Sequence, residues 1–87
     1  MIKEEFDNAK AIKFFGKIIV EQLEQQHQDG YPYHFQRISY NEWQCGCVSE
    51  YIVPFEYKKY KVTIVDNVLK NPLYINQIEK WEEMKDE

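Results

Sequence analysis

Glycine, proline and arginine are scarce in this chain of 87 residues, which has three glycines, three prolines and a single arginine, Arg37. So few glycines and prolines exclude long flexible linkers. The apolar run Ile18-Ile19-Val20 is far too short to cross a bilayer, so no membrane segment is predicted. Eleven bases against fifteen acids give a net charge of −4. Direct nucleic-acid binding is unfavoured, because readers of nucleic acid depend on arginine for contacts to bases and phosphates.

Phosphate-binding loops and catalytic motifs are also missing from the sequence. Neither GxGxxG nor GxxxxGK occurs, and no glycine-rich segment near Cys45 supplies an oxyanion hole for a cysteine nucleophile. A chain of this length buries only about 60–65% of its unfolded surface, which leaves little room for an enclosed active site. We therefore predict that the protein is not an enzyme and uses no cofactor.

The first residues and the two cysteines together predict a cytoplasmic protein. The segment Met1-Ile2-Lys3-Glu4-Glu5 leads into acidic residues, whereas a secretory signal would lead into an apolar core. Cys45 and Cys47 are separated by one residue, a spacing that strains a disulfide bond. Both thiols are therefore expected to be reduced, as is usual in the cytoplasm.

Apolar periodicity divides the chain into one long helix followed by strands. Residues 3–28 predict a helix, because apolar residues recur on one face and Gly30 and Pro32 form a stop signal after the last turn. Residues 31–66 lack this periodicity and are rich in tyrosine, valine and isoleucine, which favours antiparallel strands. Three strands are predicted, at about residues 33–40, 43–53 and 57–65.

A second, shorter helix is predicted over residues 72–85. Asn71-Pro72 is a typical helix start, and apolar residues recur at i, i+4 and i+7 from Tyr74 to Trp81. The predicted fold class is α+β, a single domain over residues 1–87 with the order α-β-β-β-α and a frayed end. A three-stranded antiparallel sheet is expected to pack against the long amino-terminal helix and the shorter carboxyl-terminal helix.

Three surface features predict protein binding. The first is an apolar patch in which Phe14 and Ile18 lie one turn apart, opposite the main apolar face of the first helix. This patch either contacts a partner or is covered by another helix. The second is the aromatic and lysine-bearing outer face of the sheet. The third is the acidic last helix, whose like charges are unfavourable near a helix carboxyl terminus. It is either a solvated tail or faces a basic partner. The residues predicted to bind are Phe14, Ile18, Tyr57, Lys59, Lys61, Glu79, Glu82 and Glu83.

A thiol or zinc site is the alternative from another function class. Cys45 and Cys47, with His34 and His27, offer four ligands of the kind that zinc prefers. Zinc sites usually contain paired CxxC or HxxxH spacings, which these residues lack. Two reduced cysteines that behave as small apolar residues are the simpler interpretation. The main prediction accordingly includes no metal.

The lysines of the third strand leave a further alternative open. The segment 57–61 interleaves tyrosine with lysine, as in weak binders of single-stranded nucleic acid, where stacking is combined with phosphate attraction. The same pattern is typical of an edge strand, where outward lysines prevent edge-to-edge aggregation.

We therefore predict a small acidic protein-binding protein of the interaction or inhibitor type, with a basic protein as its partner. A homodimer through the first helix is the second predicted association. In size, acidity and element order the chain is similar to small phage-encoded inhibitors of host defence, including some anti-CRISPR proteins. This similarity in outline assigns no residue a role. It implies that acids are presented where a target expects DNA.

Overall fold

A computed structural model describes residues 8–67 and 76–85 of the chain. Within these residues two helices come first, α1 (Ala9–Phe15) and α2 (Lys17–Asp29), and four strands follow. The strands are β1 (Gln36–Trp43), β2 (Gly46–Phe55), β3 (Lys58–Asn67) and β4 (Gln77–Met84). They form one antiparallel sheet in the order β1-β2-β3-β4, so each strand pairs with its neighbour along the chain.

The predicted carboxyl-terminal helix is wrong, because residues 77–84 form the fourth strand of the sheet. The register between β3 and β4 shifts at a bulge, where Thr63 pairs with Lys80 while the next residue, Ile64, pairs with Ile78. Residue 79 is therefore extra, and Ile78 and Trp81 both lie on the sheet face that the helices cover. Residues on one face of a regular strand are two positions apart, but the extra residue of the bulge places Ile78 and Trp81 three positions apart, as on one face of a helix. This spacing explains why the sequence predicted a helix here. The predicted start at Asn71-Pro72 lies outside the described residues.

The predicted single amino-terminal helix is also wrong, because the chain breaks between α1 and α2 at Gly16. Gly16 has φ 97° and ψ 156°, a conformation that side-chain-bearing L-residues rarely adopt. Its N–H still closes α1 by donating to the carbonyl of Ile12 at 2.8 Å. No atom lies near the position of a missing Cβ, so this glycine serves the turn of the backbone and not a close approach between elements.

The core lies between the helices and one face of the sheet. Its helical members are Ala11, Phe15, Val20 and Leu23, and its strand members are Tyr51, Val53, Val62, Ile64 and Ile78. Along β3, Val62 and Ile64 are fully buried on the core face and Lys59 is exposed, but Thr63 on the other face is also buried, with 6% exposure. Burial of this one face supplies the main stabilisation of the sheet.

The opposite face of the sheet carries a polar ladder across all four strands. Ser39 Oγ on β1 donates to Glu50 Oε1 on β2 at 2.8 Å. Lys61 Nζ on β3 lies 3.5 Å from a carboxylate oxygen of Glu50 and 3.3 Å from one of Glu82 on β4. Cross-strand pairs of opposite charge stabilise a sheet modestly and suit a solvated face.

Asn8, just before α1, connects the start of the fold to its last strand. Its Oδ1 accepts the N–H of Ile78 at 2.9 Å, and its Nδ2 donates to the carbonyl of Asn76 at 3.0 Å and to Glu24 at 2.7 Å. The residue is buried and has φ 56°, a region that asparagine tolerates better than most residues. In the part of the chain that the structure describes, no helix is long and apolar enough to cross a membrane.

Candidate functional site

Three side chains with metal-binding or nucleophilic atoms meet at one end of the helix-facing sheet surface. His27 comes from the last turn of α2, Cys47 from the start of β2 and Asp66 from the end of β3. His27 Nε2 lies 3.7 Å from Cys47 Sγ and 3.5 Å from Asp66 Oδ2, and Sγ lies 3.9 Å from the same oxygen. We call these three residues the polar cluster.

Strand register brings Cys47 and Asp66 together, because they are direct partners in the β2–β3 ladder and so lie on the same face. Gly46, the residue before Cys47, permits this pairing. A Cβ at position 46 would collide with the backbone carbonyl of Asp66. The glycine therefore allows the close approach of β2 to β3 at this end of the sheet.

His27 is held from both sides of its ring. Its side chain is only 1% exposed, and its Nδ1 lies 3.4 Å from the hydroxyl of Tyr51, another core residue. Burial lowers the pKa of His27 below its ordinary value of 6.5, although the charge of Asp66 acts in the opposite direction. The imidazole is therefore neutral at neutral pH, with a lone pair on one of its nitrogens.

The thiol of Cys47 is not an activated nucleophile. Burial, followed by the negative charge of Asp66, raises the pKa of Cys47, so the thiol stays protonated at neutral pH. The carboxylate of Asp66 is itself positioned, since its Oδ1 accepts the backbone N–H of Asn76 at the start of β4.

The arrangement also differs from that of a catalytic triad. In a triad the nucleophile contacts one ring nitrogen of the histidine and the orienting carboxylate contacts the other. Here Cys47 Sγ and Asp66 Oδ2 both lie against Nε2 of His27, and Tyr51 occupies Nδ1. Because the thiol and the carboxylate share one ring nitrogen, the carboxylate cannot orient the ring from the opposite nitrogen as in a triad. The geometry does not favour acyl-transfer chemistry of the triad type.

Two of the four ligands considered in the sequence for a zinc site belong to the polar cluster, namely His27 and Cys47. Cys45 lies in the turn between β1 and β2, and His34 is exposed in the loop before β1. The described residues contain no second group of three such ligands. Sequence reasoning missed Asp66, which resembles an ordinary turn residue unless the β2–β3 register is known.

A second feature is the exposure of aromatic residues in the segment 31–43, which comprises the loop before β1 and β1 itself. Tyr31 is 70% exposed and Tyr33 is 82% exposed. Gln26 of α2 holds the end of the loop: its Oε1 accepts the N–H groups of His34 and Phe35, and its Nε2 donates to the carbonyl of Phe35. The backbone at residues 34 and 35, next to Tyr33, is thus fixed by a buried amide.

The predicted patch on the first helix is divided by the break at Gly16. Ala11, three residues before Phe14 on α1, is buried in the core. The ring of Phe14 is 5.3 to 5.7 Å from those of Phe55, Tyr60 and Trp81, so it closes an aromatic cluster. Ile18, on the next helix, is 72% exposed. Self-association through this surface stays a prediction.

The acidic residues predicted to face a basic partner are on a strand, where lysines accompany them. Glu82 pairs with Lys61, and Glu83 Oε1 lies 3.5 Å from Lys58 Nζ. Glu79 is exposed at the bulge. Tyr57, Lys59 and Glu83 line one open depression at the ends of β3 and β4. The like-charge argument that depended on a helix therefore no longer applies.

No protein-family model matches the chain, and no similar curated protein or solved structure is found by comparison.

Proposed function

We propose that this chain is a small protein-binding domain and that the segment 31–43 contacts its partner. The supporting observation is the distribution of exposed large apolar side chains. Nine such residues lie within the described ranges, and five of them fall in these thirteen positions: Tyr31, Tyr33, Ile38, Tyr40 and Trp43. Aromatic residues are enriched at protein interfaces, where they bury a large area and retain a polar group.

Two properties of the segment suit it to binding. The anchoring of residues 34 and 35 by Gln26 means that less backbone freedom is lost when a partner binds. Within the described residues β1 pairs with β2 alone, so its other edge presents free backbone donors and acceptors. A partner that approaches this edge contacts side chains from both faces of the strand.

The charges of the segment are mixed rather than acidic. Arg37 lies over the ring of Tyr40 at 4.7 Å, and the hydroxyl of Tyr40 donates to Glu42 at 2.8 Å. This supports a partner surface of mixed polarity. A basic partner, DNA mimicry and an inhibitor of the phage type stay predictions from the sequence. A cytoplasmic location is retained in the proposal because both cysteines are free thiols.

The test compares capture of partners by the wild-type chain with capture by two variants, measured by quantitative mass spectrometry. The double change Tyr31→Ser and Tyr33→Ser is expected to reduce recovery of a specific partner at least tenfold, because tyrosines are frequent hot spots. Tyr57→Ser is the matched control, since Tyr57 is fully exposed on a different hairpin. Loss with Tyr57→Ser and retention with the double variant would transfer the proposal to the β3–β4 depression.

A further inference from the structure

We propose that His27, Cys47 and Asp66 bind one zinc-type divalent metal ion. The three donor atoms are separated by 3.7, 3.5 and 3.9 Å. Tetrahedral zinc with bonds of about 2.0–2.3 Å to nitrogen, oxygen and sulfur requires donor separations of roughly 3.3–3.6 Å. A contraction of a few tenths of an ångström, within the reach of side-chain torsions, completes the ligand triangle.

The one nitrogen–oxygen distance is too long for a good hydrogen bond. His27 Nε2 and Asp66 Oδ2 are 3.5 Å apart, whereas good N–H···O bonds are about 2.7–3.2 Å long. The thiol makes only long sulfur contacts with the other two residues, so the three atoms face a common centre without a short bond between them. A cation at that centre would satisfy all three, and this explains why a buried ring and a thiol are turned toward a carboxylate.

Groups around the cluster already orient the ligands as a metal site requires. A histidine that binds metal through Nε2 usually donates its Nδ1 proton to a fixed acceptor, and the hydroxyl oxygen of Tyr51 lies 3.4 Å from Nδ1. Asp66 offers Oδ2 to the centre while its Oδ1 accepts the N–H of Asn76. The bond from Asn76 directs Oδ2 of Asp66 inward, and the hydroxyl of Tyr51 lies where a small movement would let it accept the Nδ1 proton of His27.

The donor set selects the kind of metal. Magnesium and calcium prefer all-oxygen surroundings, so an imidazole and the thiolate that forms when the ion displaces the proton of Cys47 favour zinc or a similar transition-metal ion. Asp66 is 24% exposed, whereas the His27 side chain is 1% exposed. The fourth position of the ion would therefore lie toward Asp66, the more exposed side of the cluster, where solvent can reach it.

Cobalt(II) titration of the chelator-treated, full-length protein tests the proposal. Cobalt is a spectroscopic substitute for zinc, and one bound thiolate produces a sulfur-to-cobalt charge-transfer band. The wild-type chain is expected to bind one equivalent with this band, and zinc is expected to displace it. Absence of saturable binding would overturn the proposal.

The chain offers a matched pair of cysteine variants. Cys47→Ser is expected to abolish the band and to weaken cobalt binding at least 100-fold, whereas Cys45→Ser is expected to leave both within twofold. Asp66→Asn should keep the band but weaken binding at least tenfold. Circular dichroism of each metal-free variant checks that it is folded. Loss of the band in Cys45→Ser, or unchanged affinity in Asp66→Asn, would contradict the assigned ligands.

Discussion

The two ends of the helix-facing sheet surface satisfy their side chains in different ways. At one end Phe15 lies 5.3 to 5.6 Å from the rings of Phe55, Tyr60 and Trp81, in edge-to-face arrangements that are intrinsically favourable. At the other end the contacts of His27 with its polar neighbours are 3.4 to 3.7 Å long. The rings at the aromatic end pack closely against one another, whereas the polar atoms at the other end make only long contacts. The aromatic end therefore contributes mainly to stability, whereas the polar end has atoms that could bind a ligand.

The largest expected effect comes from emptying the aromatic end. Phe15→Ala should reduce the free energy of unfolding by about 3–5 kcal/mol, because it removes a buried ring and leaves a cavity. Phe14→Ala should cost only about 1–2 kcal/mol, since Phe14 is 41% exposed. Urea denaturation measures both values. If the two changes cost the same, Phe14 and Phe15 share one buried environment and the described difference in exposure is wrong.

An intermediate loss of stability is expected from a change at Gly46, where β2 and β3 approach closely next to the polar cluster. Gly46→Ala should cost about 1–3 kcal/mol, because the new methyl group must displace the backbone of Asp66. It should also speed alkylation of Cys47 as β2 and β3 separate. The comparison variant is Gly16→Ala, where the methyl group meets open space and only the unfavourable φ is penalised. Equal alkylation rates in the two variants would mean that Gly46 does not control the cluster.

The smallest expected effect is the loss of one hydroxyl group. Tyr51→Phe keeps the buried ring but removes the group next to His27 Nδ1, so the metal-free protein should lose about 0.5–1.5 kcal/mol. Metal affinity should fall about 10–100-fold, as is usual when an outer partner of a histidine ligand is removed. Thermal unfolding and cobalt titration provide the two readouts, with Tyr57→Phe as the exposed control. A normal cobalt affinity in Tyr51→Phe would show that Tyr51 does not position His27.

The sequence indicated the parts of the fold that depend on local pattern. Richness in tyrosine, valine and isoleucine indicated β3, but the bulge after Thr63 gave β4 the apolar spacing of a helix. The register of β2 and β3 depends on the turn at Glu56 and Tyr57, both of which have positive φ without being glycine or asparagine. The usual hairpin signal is therefore missing.

The same missing signal explains why the cluster was only half foreseen. Cys47 and His27 attract attention by residue type, whereas Asp66 becomes a ligand only through its pairing with Cys47, 19 residues earlier. Tyr31 and Tyr33 were not among the residues predicted to bind. Their importance depends on Gln26, whose bonds to residues eight and nine positions away are a product of tertiary structure.

The buried amide of Asn8 has a consequence for the order in which this protein matures on the ribosome. Its two backbone partners, Asn76 and Ile78, are 68 and 70 residues further along the chain. Both helices and three strands emerge from the exit tunnel before those groups do, and until then the amide must remain hydrated. The nascent chain can form its early hairpins, but the two backbone hydrogen bonds of Asn8 form only after the last strand has emerged. Emergence of β4 is therefore the step that attaches the start of α1 to the sheet.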